Sequence, residues 1–274
     1  MVKNELVPTP KNVYSFSRLK TFQQCPARYR MRYLQGLKEG FRSVEAYLGT
    51  TMHDVLEWLY DERRKGHEPT FEDALEVFSA CWAEGWTEDI AIVRIHDVAD
   101  TYLRTGREML ELFFRDTFLG DTSETVSLEE RLTIRLADDV VFTGFADRIG
   151  RTEKGRLFII DYKTSRSEGN SGEFSEGLQA PLYAACAIQQ RYEEEALAGY
   201  HYLRHGTTRW QLIDREHART LLDRCLELVR YTEAADEFRA RPGILCAWCG
   251  FNDRCPDAQV PEKFSGGLQA LLGR

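Results

Sequence analysis

Several features are absent from this sequence of 274 residues. It contains no run of 18 or more apolar residues, so we expect no membrane-spanning helix. Its first residues lack the apolar stretch of a secretory signal, so the expected location is the cytoplasm. It contains no G-x-x-x-x-G-K-[ST] loop, which excludes a Walker-type ATPase or helicase within the chain. It also lacks internal repeats and low-complexity segments.

Positive charge is scarce: 36 Lys and Arg residues accompany 44 Asp and Glu residues, for a formal net charge of −8. That balance argues against a protein that coats nucleic acid with its whole surface. Between Arg18 and Arg42, however, the only acidic residue is Glu39, and the basic residues are Arg18, Lys20, Arg28, Arg30, Arg32, Lys38 and Arg42. This segment is either a local phosphate-binding patch or a solvated helix face, and charge alone does not decide between them.

The seven cysteines are an odd number, which excludes complete pairing into disulfides, and cytosolic thiols stay reduced. Cys246, Cys249 and Cys255 form a C-x2-C-x5-C array, a spacing typical of metal sites. Three thiolates leave such a site one ligand short, and Cys25, followed by Pro26, is the predicted fourth. The other three lie in amphipathic segments, where cysteine usually acts as a small buried apolar residue: Cys81, Cys186 and Cys225. Four thiolates suit zinc as well as iron.

Hydrophobic periodicity predicts a helical first part and a mixed second part. Helical spacing recurs in segments that begin at Ser15 or Ser17 and continue to Tyr33, and over residues 44–64, 71–86, 93–118, 178–191 and 216–238. Strand patterns recur over residues 126–136, 140–149, 157–160, 197–204 and 207–213. Residues 120–123 are predicted to be a linker. The order of these elements predicts an α/β fold, with a central mixed sheet flanked by helices.

Two carboxylates and a lysine stand near the end of the predicted central strand. Asp161 and Lys163 are two residues apart, so strand geometry puts them on one face and Tyr162 on the other. The carboxylate suits a hard cation, and the lysine suits the positioning of an attacking water in phosphodiester hydrolysis. Asp147 lies on the preceding strand, close enough in a hairpin to approach Asp161. The alternatives are surface ion pairs, of Asp161 with Lys163 and of Asp147 with Arg148.

Three further side chains lie on predicted helices. His53 stands in a segment that otherwise faces the core, where a lone histidine is more often structural than a ligand. Gln179 and Tyr183 are four residues apart and therefore share one helix face, which by itself indicates packing or capping.

In order along the chain, these positions resemble the motif series of RecB-like PD-(D/E)XK nucleases: His53, Asp147, Asp161-x-Lys163 and Gln179-x-x-x-Tyr183. The resemblance covers roughly residues 14–256. It implies a restriction-endonuclease-like core and a metal-dependent deoxyribonuclease activity. It also implies one domain over residues 12–264, made of a helical part (12–120), a nuclease core (121–240) and a cysteine segment (241–264), followed by a tail (265–274).

The same resemblance implies roles for the individual residues. The ligands of Mg²⁺ or Mn²⁺ would be His53, Asp147, Asp161 and the main-chain carbonyl of Tyr162. Lys163 would be the catalytic lysine. Gln179 and Tyr183 would contact the DNA backbone or orient the active site.

The cysteine arrangement is similar to that of iron–sulfur nucleases of the AddB and CRISPR-associated RecB-like families, whose four cysteines bind a [4Fe–4S] cluster. Carried over, the ligands would be Cys25, Cys246, Cys249 and Cys255, and the cluster would be structural. The resemblance further implies single-stranded DNA or free DNA ends as substrate, with 5′ end processing. A helicase or a CRISPR integrase would be the protein partner, and no membrane is involved.

Two other classes of function compete with this one. The first is a non-catalytic iron–sulfur DNA-binding component of a larger helicase–nuclease or integration complex. A decayed site should have lost Asp147, Asp161 or Lys163, and the chain retains all three. The second is a zinc-stabilised interaction protein with no role in nucleic-acid chemistry.

Overall fold

The protein is seen in a computed structural model that describes residues 12–168 and 178–264. Its helices are α1 (Phe16–Gln24), α2 (Pro26–Tyr29), α3 (Val44–Arg64), α4 (Phe71–Glu84), α5 (Ala99–Phe113), α6 (Gln179–Arg191) and α7 (Arg215–Glu233). Its strands are β1 (Asn12–Tyr14), β2 (Arg42–Ser43), β3 (Ile90–Ala91), β4 (Glu124–Ala137), β5 (Val140–Arg151), β6 (Leu157–Lys163), β7 (Glu195–Tyr202) and β8 (Thr207–Asp214). The α/β architecture predicted from the sequence is confirmed, whereas the predicted tail lies outside the described residues.

The main sheet is mixed, and strand β5 is its centre. β4 pairs antiparallel with β5 along nearly its whole length. On its other edge, β5 pairs with β1 through residues 140–142 and with β6 through residues 148–151. In the described part of the chain, residues 143–147 pair with no strand on that edge, so the sheet is split there. β7 and β8 extend the sheet beyond β6.

The sheet separates two apolar cores, and β6 contributes alternate residues to each. Leu157 and Ile159 pack with α6 and α7 on one face. Phe158, Ile160 and Tyr162 pack with α3, α4 and α5 on the other. This alternation confirms the predicted face assignment: the side chain of Tyr162 points away from the α6 side. Within the described residues, none of the helices is long and apolar enough to cross a membrane.

Short polar side chains fix where several helices begin. Ser15 accepts a hydrogen bond from the main-chain N–H of Arg18, and Ser43 caps α3 in the same way. Thr70 and Asp73 form a reciprocal capping box at the start of α4. Such caps satisfy N–H groups that lack a partner in the first turn, so they define the helix boundaries.

The predicted helix from Ser15 to Tyr33 is wrong as a single element. Pro26 starts a new helix, and Cys25 before it is extended because a residue before proline avoids the helical region. The predicted helix over residues 93–118 begins at Ala99 instead, and Ile90–Ala91 upstream of it pairs with β2 in a small second sheet. The three-residue strand β1 was not predicted, because its pairing with β5 is entirely long-range.

The C-terminal segment packs against the small second sheet. Phe41, Ala91 and Val93 form a third apolar cluster with Ala247, and Trp248 packs on it. The main-chain N–H of Gly40 also donates to the carbonyl of Gly250, at 2.7 Å. The segment that carries the last three cysteines is therefore docked onto the N-terminal part of the chain.

Candidate active site

His53 reaches the split in the sheet from α3. The flanking residues of α3 pack in the helical core, and this fixes the side of the helix that faces the strands. The imidazole Nε2 donates to the main-chain carbonyl of Tyr162 at 2.9 Å, and Nδ1 lies 3.5 Å from Oδ1 of Asp147. The hydrogen bond from Nε2 leaves Nδ1 as the nitrogen aimed at the carboxylates. These contacts place His53 at the edge of the core beside the predicted carboxylates, and its role as a metal ligand stays a prediction.

The two predicted aspartates are both buried at the split. Asp147 is 8% exposed and Asp161 is 2% exposed. Oδ2 of Asp147 accepts a hydrogen bond from the main-chain N–H of Tyr162 at 2.7 Å, so Asp147 is held against β6. The alternative in which Asp147 pairs with Arg148 is wrong, because Arg148 turns to the opposite side of the sheet and pairs with Asp121.

The electrostatics of the site follow from these buried carboxylates. Burial raises the pKa of Asp161; the ammonium of Lys163 opposes this effect and the charge of Asp147 adds to it. Burial alone would lower the pKa of His53, but the hydrogen bond and charge of Asp147, followed by the charge of Asp161, raise it to about 9. Negative charge is therefore concentrated at the split, and His53 and Lys163 offset it.

Lys163, Gln179 and Tyr183 form a chain of contacts along the start of α6. Nζ of Lys163 lies 2.5 Å from Oδ2 of Asp161 and donates to Oε1 of Gln179 at 2.9 Å. Nε2 of Gln179 donates to the hydroxyl of Tyr183 at 3.4 Å. The Tyr183 ring lies against Gly144, where a Cβ atom would stand 2.3 Å from the ring, so this position requires glycine. The predicted residues thus border the split in two sets: His53 contacts Asp147, and Asp161 contacts Lys163, which leads to Gln179 and Tyr183. Among the described residues, Asp161 does not have a ligand atom within 4.8 Å of both His53 and Asp147.

Glu129 belongs to the same group, although the sequence did not single it out. One ligand atom each from His53, Glu129 and Asp147 lies within 4.8 Å of the others. The β4–β5 register puts Glu129 opposite Asp147, and its backbone takes a left-handed conformation with φ of 44°. Burial, followed by the charge of Asp147, raises the pKa of Glu129 to about 7. The sequence signal that could have pointed to Glu129 is its neighbour Glu130, where the apolar alternation of β4 is interrupted.

The cysteine-bearing segments meet at the other end of the helical part. Cys25 lies between α1 and α2, and Cys246 lies in a short 3₁₀ helix, Ile244–Trp248, with Cys249 directly after it. Burial raises the pKa of Cys249; the nearby Arg28 opposes this and the nearby thiol of Cys25 adds to it. Among the described residues, no three of the predicted thiol ligands have their sulfur atoms within 4.8 Å of one another.

The remaining cysteines and the basic segment are also placed by the structure. Cys186 and Cys225 are buried in apolar surroundings, as predicted, and Cys81 is partly buried. In the basic segment, Arg28 pairs with Glu39 at 2.7 Å. Other cations of that segment are exposed, namely Arg30, Arg32 and Lys38. The segment is thus partly neutralised, with a smaller exposed positive surface than its composition indicates.

A histidine, three carboxylates and a lysine converge at a split in a mixed sheet flanked by helices, a donor set suited to a hard divalent cation. Residues 13–256 match the PD-(D/E)XK nuclease superfamily, and the chain belongs to that superfamily.

Among curated proteins, the chain is similar to the B-type component of an ATP-dependent helicase/deoxyribonuclease from two streptococci. The protein from Streptococcus uberis is 27% identical over 173 residues, which cover 61% of this chain and 15% of the relative. The protein from Streptococcus equi subsp. zooepidemicus is 25% identical over 206 residues, covering 73% of this chain and 18% of the relative. The chain therefore spans less than a fifth of these relatives. The crystal structure of SSO0001 covers 92% of this chain at 17% identity and a TM-score of 0.41, a likeness that says nothing about function.

Proposed function

We propose that the protein is a metal-dependent deoxyribonuclease that hydrolyses phosphodiester bonds at the split in the sheet. The observation that carries the proposal is that His53 lies 3.5 Å from Asp147, and Lys163 lies 2.5 Å from Asp161, at one split in the sheet of a PD-(D/E)XK superfamily chain. Two buried carboxylates that converge repel each other unless positive charge lies between them. A bound divalent cation would add to the positive charge that His53 and Lys163 already place there.

The donor set fits Mg²⁺ or Mn²⁺. Oxygen ligands would come from Asp147 and Asp161. The carbonyl of Tyr162, which the resemblance also implies as a ligand, accepts from Nε2 of His53 and so lies across the imidazole ring from an ion bound at Nδ1. Nδ1 of His53 would be the nitrogen ligand, since its other ring nitrogen donates to a carbonyl, as is usual for histidines that bind metals. Glu129 lies close enough to His53 and Asp147 to add a further oxygen.

The metal, when bound, polarises the phosphate and lowers the pKa of a bound water. Lys163 lies on the same strand face as Asp161, where its ammonium would orient the attacking water and offset charge that develops on the phosphate. Gln179 holds Lys163, and Tyr183 holds Gln179, so this pair would position the lysine or contact the DNA backbone.

The proposal also specifies which form of DNA the enzyme cleaves and at which end. We propose a single-strand-preferring exonuclease that processes 5′ ends in the cytoplasm. The similarity to one component of a helicase/deoxyribonuclease supports a partner with helicase activity. A CRISPR integrase as partner rests on the arrangement of the cysteines alone.

The direct test is degradation of end-labelled single-stranded and duplex DNA by protein purified without oxygen. We expect cleavage with Mg²⁺ or Mn²⁺, loss of cleavage in EDTA, and loss of cleavage in Asp161→Ala, which removes a buried metal ligand. Retention of the folded circular-dichroism spectrum by the variant is the control. Metal-dependent cleavage that survives in Asp161→Ala contradicts the site assignment. DNA binding without cleavage under any metal supports the alternative of a non-catalytic DNA-binding component.

We propose further that Cys25, Cys246, Cys249 and Cys255 hold a structural [4Fe–4S] cluster. The proximity of Cys25 to Cys249 and the docking of the C-terminal segment support a shared site. A single zinc ion bonds each thiolate at about 2.3 Å, which brings the sulfurs within about 4 Å of one another. A cluster distributes its cysteines over several irons, so its ligand sulfurs stand farther apart than those of a zinc site.

The variant Cys25→Ala tests this proposal. We expect it to lose iron and visible absorbance and to melt about 5–10 °C lower, because the cluster ties an N-terminal helix to the last third of the chain. The measurements are iron and zinc content per chain and thermal unfolding by circular dichroism. Cys81→Ala, on α4, is the matched control and should keep both properties. A Cys25→Ala protein with full iron content and an unchanged melting temperature would exclude Cys25 as a ligand.

A further inference from the structure

One face of the β4–β5 hairpin lies open beside the candidate site. Leu132, Ile134 and Phe142 point to the opposite face and are buried against the α6 layer. On the open face, Arg131 is exposed and Phe145 is 54% exposed. A phenylalanine this exposed in the middle of a central strand contributes little to folding, because most of its apolar area stays in water.

The side chains of this open face form one continuous surface. Arg131 and Phe145 are directly opposite in the antiparallel register, and Nε of Arg131 donates to Oγ1 of Thr143 at 3.2 Å. Glu129 stands two residues before Arg131, and Asp147 stands two residues after Phe145. Glu129 and Asp147 belong to the candidate metal group, so this surface ends only two residues along each strand from that group.

The chemistry of this surface suits one strand of nucleic acid. An exposed aromatic ring stacks on any base, but only on a base that is not already paired and stacked inside a duplex. Arg131 has no carboxylate within ion-pair distance among the described residues, so its guanidinium is available to a phosphate. On a chain of net charge −8, one cation and one aromatic side chain beside the site are a local feature rather than part of a general basic surface.

We infer that the open face of β4–β5 binds the single-stranded segment of DNA next to the scissile phosphate, with Phe145 stacked on a base and Arg131 on a phosphate. The inference rests on the proposed function, because it assigns a substrate path to that active site. Phe145 is a substrate-binding residue in this account, and single-strand preference follows from it, since a paired base offers no free face.

The test measures binding in EDTA, where no metal-dependent cleavage occurs, with single-stranded DNA that carries the fluorescent base 2-aminopurine. We expect the wild-type chain to quench the fluorescence on binding. Phe145→Ala should abolish most of the quenching and raise Kd about tenfold, because one base–aromatic stack is lost. Phe145→Trp should restore both. The matched control is Tyr192→Ala, which removes an aromatic side chain that is 86% exposed at the far end of α6 and should bind as wild type.

Arg131→Gln supplies a second, independent readout. We expect the slope of log Kd against log salt concentration to fall by about 0.7, the value for one phosphate contact on a single strand. Unchanged quenching and Kd in Phe145→Ala, or equal wild-type affinity for duplex and single strands, would overturn the inference. Because these assays contain no metal, failure of the proposed nuclease would appear separately, as tight single-strand binding without cleavage once Mg²⁺ or Mn²⁺ is added.

Discussion

Replacing Lys163 with alanine is expected to lower the rate of DNA cleavage about 100- to 1,000-fold at saturating Mg²⁺ while the protein stays folded. The ammonium of Lys163 lies 2.5 Å from Asp161 and is held in place by Gln179 at 2.9 Å. It is therefore fixed before substrate binds, and no side chain has to move to bring positive charge to the phosphate. A preorganised charge of this kind acts on the transition state more than on the ground state, so kcat should fall more than KM rises.

Initial rates on end-labelled single-stranded DNA measure this effect. The matched control is Lys154→Ala, which removes an exposed lysine in the turn between β5 and β6 and should cleave at the wild-type rate. Circular dichroism and a thermal melt check that Lys163→Ala folds. Cleavage within a fewfold of the wild-type rate would show that Lys163 only forms an ion pair with Asp161 and takes no part in catalysis. That outcome would support the ion-pair alternative.

The parts of the site that could be predicted are those set by local geometry. A strand places residues two apart on one face, so the shared face of Asp161 and Lys163 follows from the sequence as soon as β6 is recognised. A hairpin brings its two strands together, which predicts the approach of Asp147. The helix repeat likewise puts Gln179 and Tyr183 in line. In each case a single periodicity is sufficient, and the structure agrees.

The parts that could not be predicted depend on long-range pairing. Strand β1 has only three residues and gains its place by pairing with residues 140–142, more than a hundred positions away. Without β1, the split in the sheet cannot be foreseen, because the split is the gap between β1 and β6 on one edge of β5. Glu129 was missed for a related reason: its approach to His53 joins β4 to α3, which are far apart in the sequence, and its backbone is left-handed, which the strand pattern does not indicate.

The second large effect concerns stability: Asp121→Ala is expected to lower the free energy of unfolding by about 3–5 kcal/mol. Asp121 accepts from Nη1 of Arg148 at 2.6 Å and from the hydroxyl of Tyr60 at 2.9 Å. Arg148 is only 2% exposed, so the variant leaves a guanidinium buried without its counter-charge. The predicted linker over residues 120–123 therefore carries a buried ion pair rather than serving only as a connection.

Urea unfolding at pH 7 measures this loss, and Asp116→Ala is the matched control. Asp116 pairs with Arg115 on the surface, so its removal should leave the urea midpoint nearly unchanged. Burial would raise the pKa of Asp121, but Arg148, followed by hydrogen bonds from Ser123, lowers it overall. A folded-state pKa below the unfolded one stabilises the protein above pH ~3.9, and this contribution disappears as the pH falls through the folded-state value. The difference between wild type and Asp121→Ala should therefore shrink below pH 4.

A double variant shows whether the lost stability comes from an unpaired buried charge or from the loss of the ion pair itself. If the cost of Asp121→Ala comes from an uncompensated buried charge, replacing both partners with apolar residues of similar size should recover most of it. Asp121→Leu with Arg148→Met is such a pair, and Arg148 already lies with its guanidinium 3.6 Å over the ring of Tyr60, in largely apolar surroundings. Recovery to within about 1 kcal/mol of wild type would identify the penalty of an unpaired charge as the cause. A double variant as unstable as Asp121→Ala would instead show that the ion pair itself, with its bonds from Arg148 to Ser123 and Thr125, holds the start of β4 against β5.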